Sequence, residues 1–149
     1  MKSLFDTEAY NEINSRLNSL TSQSKRQWGK MDAAQMLAHC KEAFKVPLSE
    51  KSPPKIYPFA LFGWMMKSKL YDDVPWKQNL PTAPNFKIND SRVFDKEKAE
   101  LTALISRFHQ SSPAVVEKIV HPVFGKFTGG QWGMAMYKHL DHHLKQFGA

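Results

Sequence analysis

The sequence lacks the features that mark exported or repetitive proteins. It contains one cysteine, Cys40, so no disulfide can form within the chain, which fits a reducing environment. The first residues, from Met1 to Asp6, lack the apolar region and the small-residue cleavage site of a secretory signal. No internal repeat or low-complexity segment is present. We therefore expect a cytoplasmic protein whose residues 1–149 form a single domain, long enough to bury its own core.

Long apolar runs are also absent. The longest one, Ile56–Met66, is too short to span a bilayer and is interrupted by Pro58 and Gly63. We expect it to be a buried or lid segment, with contact to a membrane surface as a minor alternative. No membrane is therefore expected as a partner.

The charge balance is basic without being concentrated. Lys and Arg number 21 against 14 Asp and Glu, which gives a formal net charge of +7. The lysines are scattered along the chain, and most aromatic residues fall on apolar helical faces or beside proline and glycine. A nucleic-acid surface would instead combine a basic stripe with exposed aromatic side chains, so the sequence disfavours nucleic acid as a partner.

Four segments with apolar residues three and four apart predict four helices. Two of them begin with capping-box signatures, in which Asp32 precedes Gln35 and Thr128 precedes Gln131. The predicted helices run from an Asp6 cap to about Leu20, from Asp32 to before Pro47, from an Asp95 cap to about Phe108, and from Thr128 onward. This pattern predicts an all-α protein, a four-helix bundle.

A long connection separates the second and third predicted helices. From Pro47 to about Phe94 the chain is rich in proline and aromatic residues, with at most one further helix around Phe59–Leu70. Connections of this length are usually functional or lid-like. We refer to it as the crossover.

The last predicted helix carries two histidines at metal-chelating spacing. His139 and His143 are four residues apart, so they lie one above the other on one helical face, about 6 Å along the axis. A helical wheel places both at the centre of the apolar face and His142 at its border, which makes His142 a weaker ligand candidate. The opposite face is predicted to be exposed and charged, through Lys138, Asp141 and Lys145.

One distant histidine, His39, also lies on an apolar face, that of the second predicted helix. The outward face of that helix is predicted to carry Lys41, Glu42 and Lys45. Alone, such a histidine is more often a core residue with one hydrogen bond than a metal ligand. Three inward imidazoles without a shared partner, however, would each cost about 1–3 kcal/mol, and a divalent metal removes that cost.

The histidine pattern and its flanking segments resemble a known family. They are similar to the DinB/YfiT-like superfamily of metal-dependent enzymes, and within it to a branch described as a domain of unknown function. The similar segments are Trp28-Gly29-Lys30-Met31, Gln35 to Cys40, His121 to Lys126 and Lys138 to Phe147. The resemblance covers nearly the whole chain and implies an up-down-down-up bundle in which His39, His139 and His143 bind zinc, nickel or another divalent ion.

The resemblance also implies metal-assisted chemistry on a small molecule, since characterised members include thiol-dependent S-transferases, hydrolases and an isomerase. Three imidazoles leave one coordination position open on zinc, which is typical of catalytic sites. The ion would lower the pKa of a bound water to about 7 or hold a thiol as thiolate. His121 and His142 are candidates for a general acid or base, although His121 before Pro122 could simply fix the turn into the last helix.

Four further residues are predicted to support this site or the core. Gln146 lies inward and is expected to orient one of the imidazoles. Trp28 and Trp132 could wall a pocket, but packing in the core is the more common role for tryptophan. Cys40 is rotated by about 100° from His39, so we interpret it as a small buried apolar residue.

Three functions remain open from the sequence. The first is a metal-dependent hydrolase or thiol S-transferase that acts on a small molecule, which could be a low-molecular-weight thiol. The second is a non-catalytic metal-binding or interaction module on the same bundle. A nucleic-acid-binding protein of the damage response is the third and rests on charge alone. A homodimer is compatible with each of them.

Overall fold

Six α-helices and one two-stranded sheet form the regular structure of the residues that the computed structural model describes, which are 1–49, 52 and 54–149. The prediction of an all-α protein is confirmed. The helices are α1 (Thr7–Ser19), α2 (Ala33–Lys45), α3 (Gly63–Met66), α4 (Phe94–Gln110), α5 (Pro113–Val116) and α6 (Gly129–Gln146). The strands β1 (Val120–His121) and β2 (Gly125–Lys126) pair antiparallel as a hairpin.

Both predicted capping boxes are confirmed. At the start of α2 the Asp32 carboxylate accepts the Gln35 N–H at 2.8 Å, and Oε1 of Gln35 accepts the Asp32 N–H at 3.0 Å. Thr128 and Gln131 make the same reciprocal pair at the start of α6, at 3.2 and 3.1 Å. Each box satisfies backbone donors that the first helical turn leaves free, so these starts are encoded locally.

The starts of α1 and α4 differ from the prediction in their caps. Asp6 precedes α1, but its carboxylate accepts the N–H of Ser3 at 3.2 Å instead of one from the helix. α4 begins at Phe94 with Val93 in the cap position, so the predicted cap, Asp95, lies inside the first turn. An acidic residue in a first turn is favourable because it interacts with the helix dipole without a cap hydrogen bond.

The four long helices pack against one another around the core. α2 contacts α4 and α6, and α1 contacts α6 and α4. The apolar stripes of these helices meet inside, where the largest fully buried side chains include Phe44, Phe108, Ile13, Leu101 and Leu140. The helical periodicity read from the sequence therefore identifies the core-facing residues.

One predicted outward residue, Lys41, is buried. Its ammonium group forms ion pairs with Glu97 and Glu100 of α4. Burial lowers the pKa of Lys41, but the hydrogen bonds that its ammonium group donates to the two carboxylates outweigh this and raise it. The prediction of exposure is wrong because a helical wheel describes one helix, whereas here α4 covers the edge of the polar face of α2.

The crossover is mostly irregular, with short helical turns. A 3₁₀ turn (Phe59–Leu61), α3 and a second 3₁₀ turn (Lys67–Leu70) occupy the position of the predicted helix, and a third 3₁₀ turn spans Pro84–Phe86. Residues 50, 51 and 53 belong to the crossover and lie outside the described residues. None of the described helices combines the length and the apolar character needed to cross a membrane.

The sequence predicts that Ile56–Met66 is a buried or a lid segment, and the first of these alternatives, burial, is wrong. Leu61, Phe62 and Trp64 are exposed by 58, 67 and 70%. α3 has a single turn, and Gly63 is its one buried residue. The larger neighbouring side chains consequently face outward.

Candidate metal centre

Three histidines from two helices meet in the interior. His39 comes from the middle of α2, and His139 and His143 come from successive turns of α6. One nitrogen from each lies within 4.8 Å of the others, and the side chains are only 6, 9 and 8% exposed. We call these residues the three-histidine cluster. The residue pattern of one helix cannot show that these three side chains lie together, because His39 and His139 are 100 residues apart and belong to different helices.

Hydrogen bonds determine which nitrogen of two imidazoles faces the centre. Nδ1 of His39 lies 2.8 Å from the Phe86 carbonyl oxygen, and Nδ1 of His143 lies 2.9 Å from Oε1 of Gln146. Both oxygens only accept, so each Nδ1 carries the proton. The Nε2 lone pairs of His39 and His143 are therefore free to act as ligands.

The geometry fits a shared cation. Nε2 of His39 lies 3.1 Å from Nε2 of His139, close to the separation of about 3.3 Å between two nitrogens of a tetrahedral zinc site. Two lone pairs at this distance repel unless a proton or a cation lies between them. Nδ1 of His139 is buried without a hydrogen-bond partner among the described residues, so no hydrogen bond at Nδ1 determines the tautomer of this imidazole. The cluster could thus hold a metal ion.

Burial keeps the imidazoles neutral, which metal binding requires. It lowers the pKa of His143 to about 3 and that of His39 below its ordinary value. The pKa of His139 lies well below that value, first because of burial and then because of the neighbouring imidazoles. The ligand nitrogens are consequently unprotonated at neutral pH.

Gln146 supports His143 through a second contact. Its Nε2 donates to the Trp28 carbonyl oxygen at 2.8 Å, which fixes the orientation of the amide. Gly29 follows with φ of +82°, and a Cβ there would lie 2.4 Å from Nε2 of Gln146. The loop before α2 is thereby attached to the end of α6.

The crossover covers the cluster with residues that the sequence analysis did not single out. Besides the Phe86 carbonyl, the Trp76 ring lies 5.9 Å from the His139 ring and 5.6 Å from the His142 ring, centroid to centroid. The only signal for these contacts in the sequence was the length of the crossover and its many aromatic residues.

Lys138 holds the crossover in place. Its Nζ donates to the carbonyls of Lys69 and Asp72, each at 2.9 Å, and pairs with the Asp72 carboxylate at 2.5 Å. Lys138 is 4% exposed, so its predicted position on a solvated face is wrong. The physical reason is that the crossover returns over this face of α6.

The two candidate acid–base histidines lie in different surroundings. His142 is half-buried between Trp28 and Trp76, at ring distances of 5.8 and 5.6 Å, and next to His143. Burial lowers its pKa. His142 thus lies at the edge of the cluster.

His121 is held within the β-hairpin. Its Nδ1 accepts the N–H groups of Val123 and Phe124 at 3.0 and 3.1 Å, and burial lowers its pKa to about 4. Its ring packs on Phe127 and Trp132. These contacts agree with the alternative in which His121 fixes the turn before α6.

Of the remaining predicted residues, Trp132 and Cys40 belong to the core, whereas Trp28 does not. Trp132 is 3% exposed and stacks on Phe127, while Trp28 is half-buried against His142. Cys40 is fully buried, and its thiol pKa is raised by burial. Its Sγ contacts the sulfur of Met36 at 3.7 Å. Cys40 is consequently not positioned as a reactive thiolate.

A cleft of about 630 Å³ lies on the outer side of α6, away from the cluster. Its walls include Glu12, Arg16, Asp141 and Lys145, and none of the three clustered histidines lines it. Arg16 and Lys145 both pair with Asp141, at 2.8 and 2.7 Å. These charged groups of the cleft therefore already form ion pairs with one another.

The fold and site define a class, a predominantly helical protein with a buried three-histidine group able to hold a metal ion. Comparison with known families gives a match over almost the entire length of the chain. The model of the family DUF1569, described as a protein of unknown function, matches residues 2–149, and the chain belongs to that family. No curated protein and no solved structure matches the chain.

Proposed function

We propose that the chain is a divalent-metal-dependent enzyme of the DinB-like type, with residues 1–149 forming one four-helix bundle domain of up-down-down-up topology. The observation that carries the proposal is the convergence of three neutral imidazoles from α2 and α6, with ligand nitrogens within 4.8 Å of one another. His39, His139 and His143 would hold the ion, and zinc or nickel suits three imidazole ligands.

When bound, such an ion supplies Lewis acidity and makes a water or thiol nucleophilic at neutral pH. The chain's own residues prepare the site. The Phe86 carbonyl and the Gln146 amide hold two imidazoles in the tautomer that presents Nε2. The crossover limits the access of bulk water, which strengthens electrostatic interactions in the site.

His142 is the residue that we propose for proton transfer. It adjoins the cluster, remains half-buried, and lies between the Trp28 and Trp76 rings. A small molecule bound at this edge of the cluster would contact His142 beside His143. His121 is the second candidate, but its Nδ1 already accepts two backbone hydrogen bonds. The reaction class that we propose is hydrolysis or thiol S-transfer, with a low-molecular-weight thiol as one substrate.

One observation favours the alternative of a non-catalytic metal-binding module. All three clustered histidines are less than 10% exposed, and the crossover lies over them. In that case the bound ion would stabilise the fold, and substrates would not reach it. Turnover by the metal-loaded protein separates the two functions.

Metal content tests the shared part of both proposals. Purified protein is expected to carry about one divalent ion per chain by elemental analysis, and His143→Asn to lose it. His109→Asn is the matched control, since Nδ1 of His109 contacts the Leu4 carbonyl oxygen at 2.7 Å, away from the cluster. Circular dichroism verifies that both variants fold. Unchanged metal content in His143→Asn would exclude the metal centre.

Activity then tests the enzyme. The metal-loaded protein is assayed with low-molecular-weight thiols plus electrophiles, and with esters and amides. His142→Asn is expected to keep the ion and to lower turnover by about a hundredfold, a typical contribution of a general acid or base. A loaded protein without turnover on any of these substrates would favour the non-catalytic module.

A further inference from the structure

An exposed apolar surface lies on the crossover. Its side chains are each between 58 and 70% exposed. They are Tyr57, Leu61, Phe62, Trp64, Met65 and Met66, which we call the 57–66 surface. Scattered exposed apolar residues are normal in soluble proteins, but six within ten residues form a patch that usually marks an interaction site.

The backbone beneath this surface is attached to the β-hairpin. The Ile56 N–H donates to the Pro122 carbonyl at 3.1 Å. Gly63 packs so closely on the hairpin that a Cβ would lie 2.1 Å from the Val123 carbonyl oxygen. Nζ of Lys67 donates to the Lys126 carbonyl and lies over the Phe127 ring. The outward direction of the apolar side chains therefore follows from how the segment is held.

The two segments that form and support this surface are basic. The crossover residues 52–71 and the hairpin residues 118–126 contain no aspartate or glutamate. They contain five lysines, which are Lys55, Lys67, Lys69, Lys118 and Lys126. All except Lys67 are exposed. Acidic residues that flank these segments have partners of their own. Asp72 pairs with Lys138 and Lys69, Asp73 pairs with the N-terminal ammonium group, and Glu117 accepts the Gly129 N–H.

We propose that the 57–66 surface binds the surface of an anionic lipid bilayer. Large apolar side chains that include a tryptophan suit the boundary between headgroups and acyl chains, and the surrounding lysines would lie at the level of the lipid phosphates. No helix has to cross the membrane, because the side chains of α3 and the adjoining 3₁₀ turn insert from one side.

Charge complementarity selects this occupant over a second copy of the chain. Two copies that met through this surface would bring two sets of lysines together, which is unfavourable. Among the described residues, Lys69 is the only one of these lysines that pairs with a carboxylate, that of Asp72. An anionic bilayer provides both the apolar phase and the opposite charge.

Vesicle co-sedimentation tests the proposal on the full chain. The vesicles contain equal parts of phosphatidylglycerol and phosphatidylcholine, or phosphatidylcholine alone. We expect binding to the anionic vesicles, weaker binding to the neutral ones, and a decrease as salt is added. The double variant Phe62→Ser/Trp64→Ser is expected to lower partitioning by about tenfold or more.

The control is Val93→Ser, because Val93 is 66% exposed but lies before α4, outside this surface. It should bind like the wild type, and circular dichroism should be the same for all three proteins. The proposal is overturned if the wild type does not bind anionic vesicles, or if the double variant binds as well as the wild type. It is also overturned if the wild type is a dimer that the double variant converts to a monomer, since a second copy would then cover the surface.

Discussion

The Nδ1 atom of His143 lies 2.9 Å from Oε1 of Gln146, one turn further along α6. Because the other end of the amide donates to the Trp28 carbonyl, the amide cannot turn over without losing both hydrogen bonds. The pair fixes the tautomer of His143 and links the end of α6 to the loop before α2.

Replacing Gln146 should weaken metal binding without removing a ligand. Gln146→Leu is expected to lower the affinity for a divalent ion by about 10- to 100-fold, since His143 loses the acceptor that orients it. Competition with a chromophoric chelator measures this. Gln110→Leu is the control, because Gln110 is exposed and contacts Ser106 on α4. Equal affinities for the two variants would contradict the orienting role.

Gly29 should be intolerant of a side chain. Gly29→Ala is expected to lower the free energy of unfolding by about 1–3 kcal/mol, because φ is +82° and the Cβ would displace the Gln146 amide. In Gly130→Ala the Cβ meets only Thr128 Oγ1, at 4.0 Å, within a helix. That control should change stability by less than about 1 kcal/mol, in the stabilising direction. Urea denaturation compares the two, and similar losses would refute the close approach at Gly29.

Removing the Lys138 ammonium should loosen the crossover. Lys138→Met is expected to lower the free energy of unfolding by about 1–3 kcal/mol, since two carbonyls and a carboxylate lose their donor. Amide hydrogen exchange should become faster in residues 69–76. Lys145→Met removes an exposed partner of Asp141 and should cost less than about 1 kcal/mol. Unchanged exchange in the crossover of Lys138→Met would show that Lys138 does not hold it.

Stability should depend on pH through His121. Its pKa is about 4 in the folded chain against an ordinary value of 6.5, so the unfolded chain binds a proton more readily between these values. The contribution of His121 is complete above about pH 6.5 and decreases as the pH falls toward about 4. His121→Asn keeps an acceptor for the turn but does not titrate.

The measurement compares both proteins in the presence of a chelator. The wild type should lose about 1–3 kcal/mol more unfolding free energy than His121→Asn between neutral pH and about pH 4. The other histidines contribute equally to both curves, so the difference isolates His121. Parallel curves would contradict this assignment.

The sequence by itself determined the four long helical segments and several residues of the candidate site. Capping boxes at Asp32 and Thr128 act over three residues, and the helical period determines which side chains share a face. His139 and His143 could therefore be placed on one inward face of α6, and Gln146 could be assigned a supporting role. All of this depends on interactions within one or two helical turns.

Only the tertiary structure decided what covers each face. Lys41 and Lys138 are buried because α4 and the crossover pass over them, and the apolar residues around Trp64 are exposed because the hairpin holds their backbone. The contact between His39 and Phe86 joins residues 47 positions apart. Such contacts depend on how an irregular connection packs, and local propensity carries no information about the partners that packing brings together.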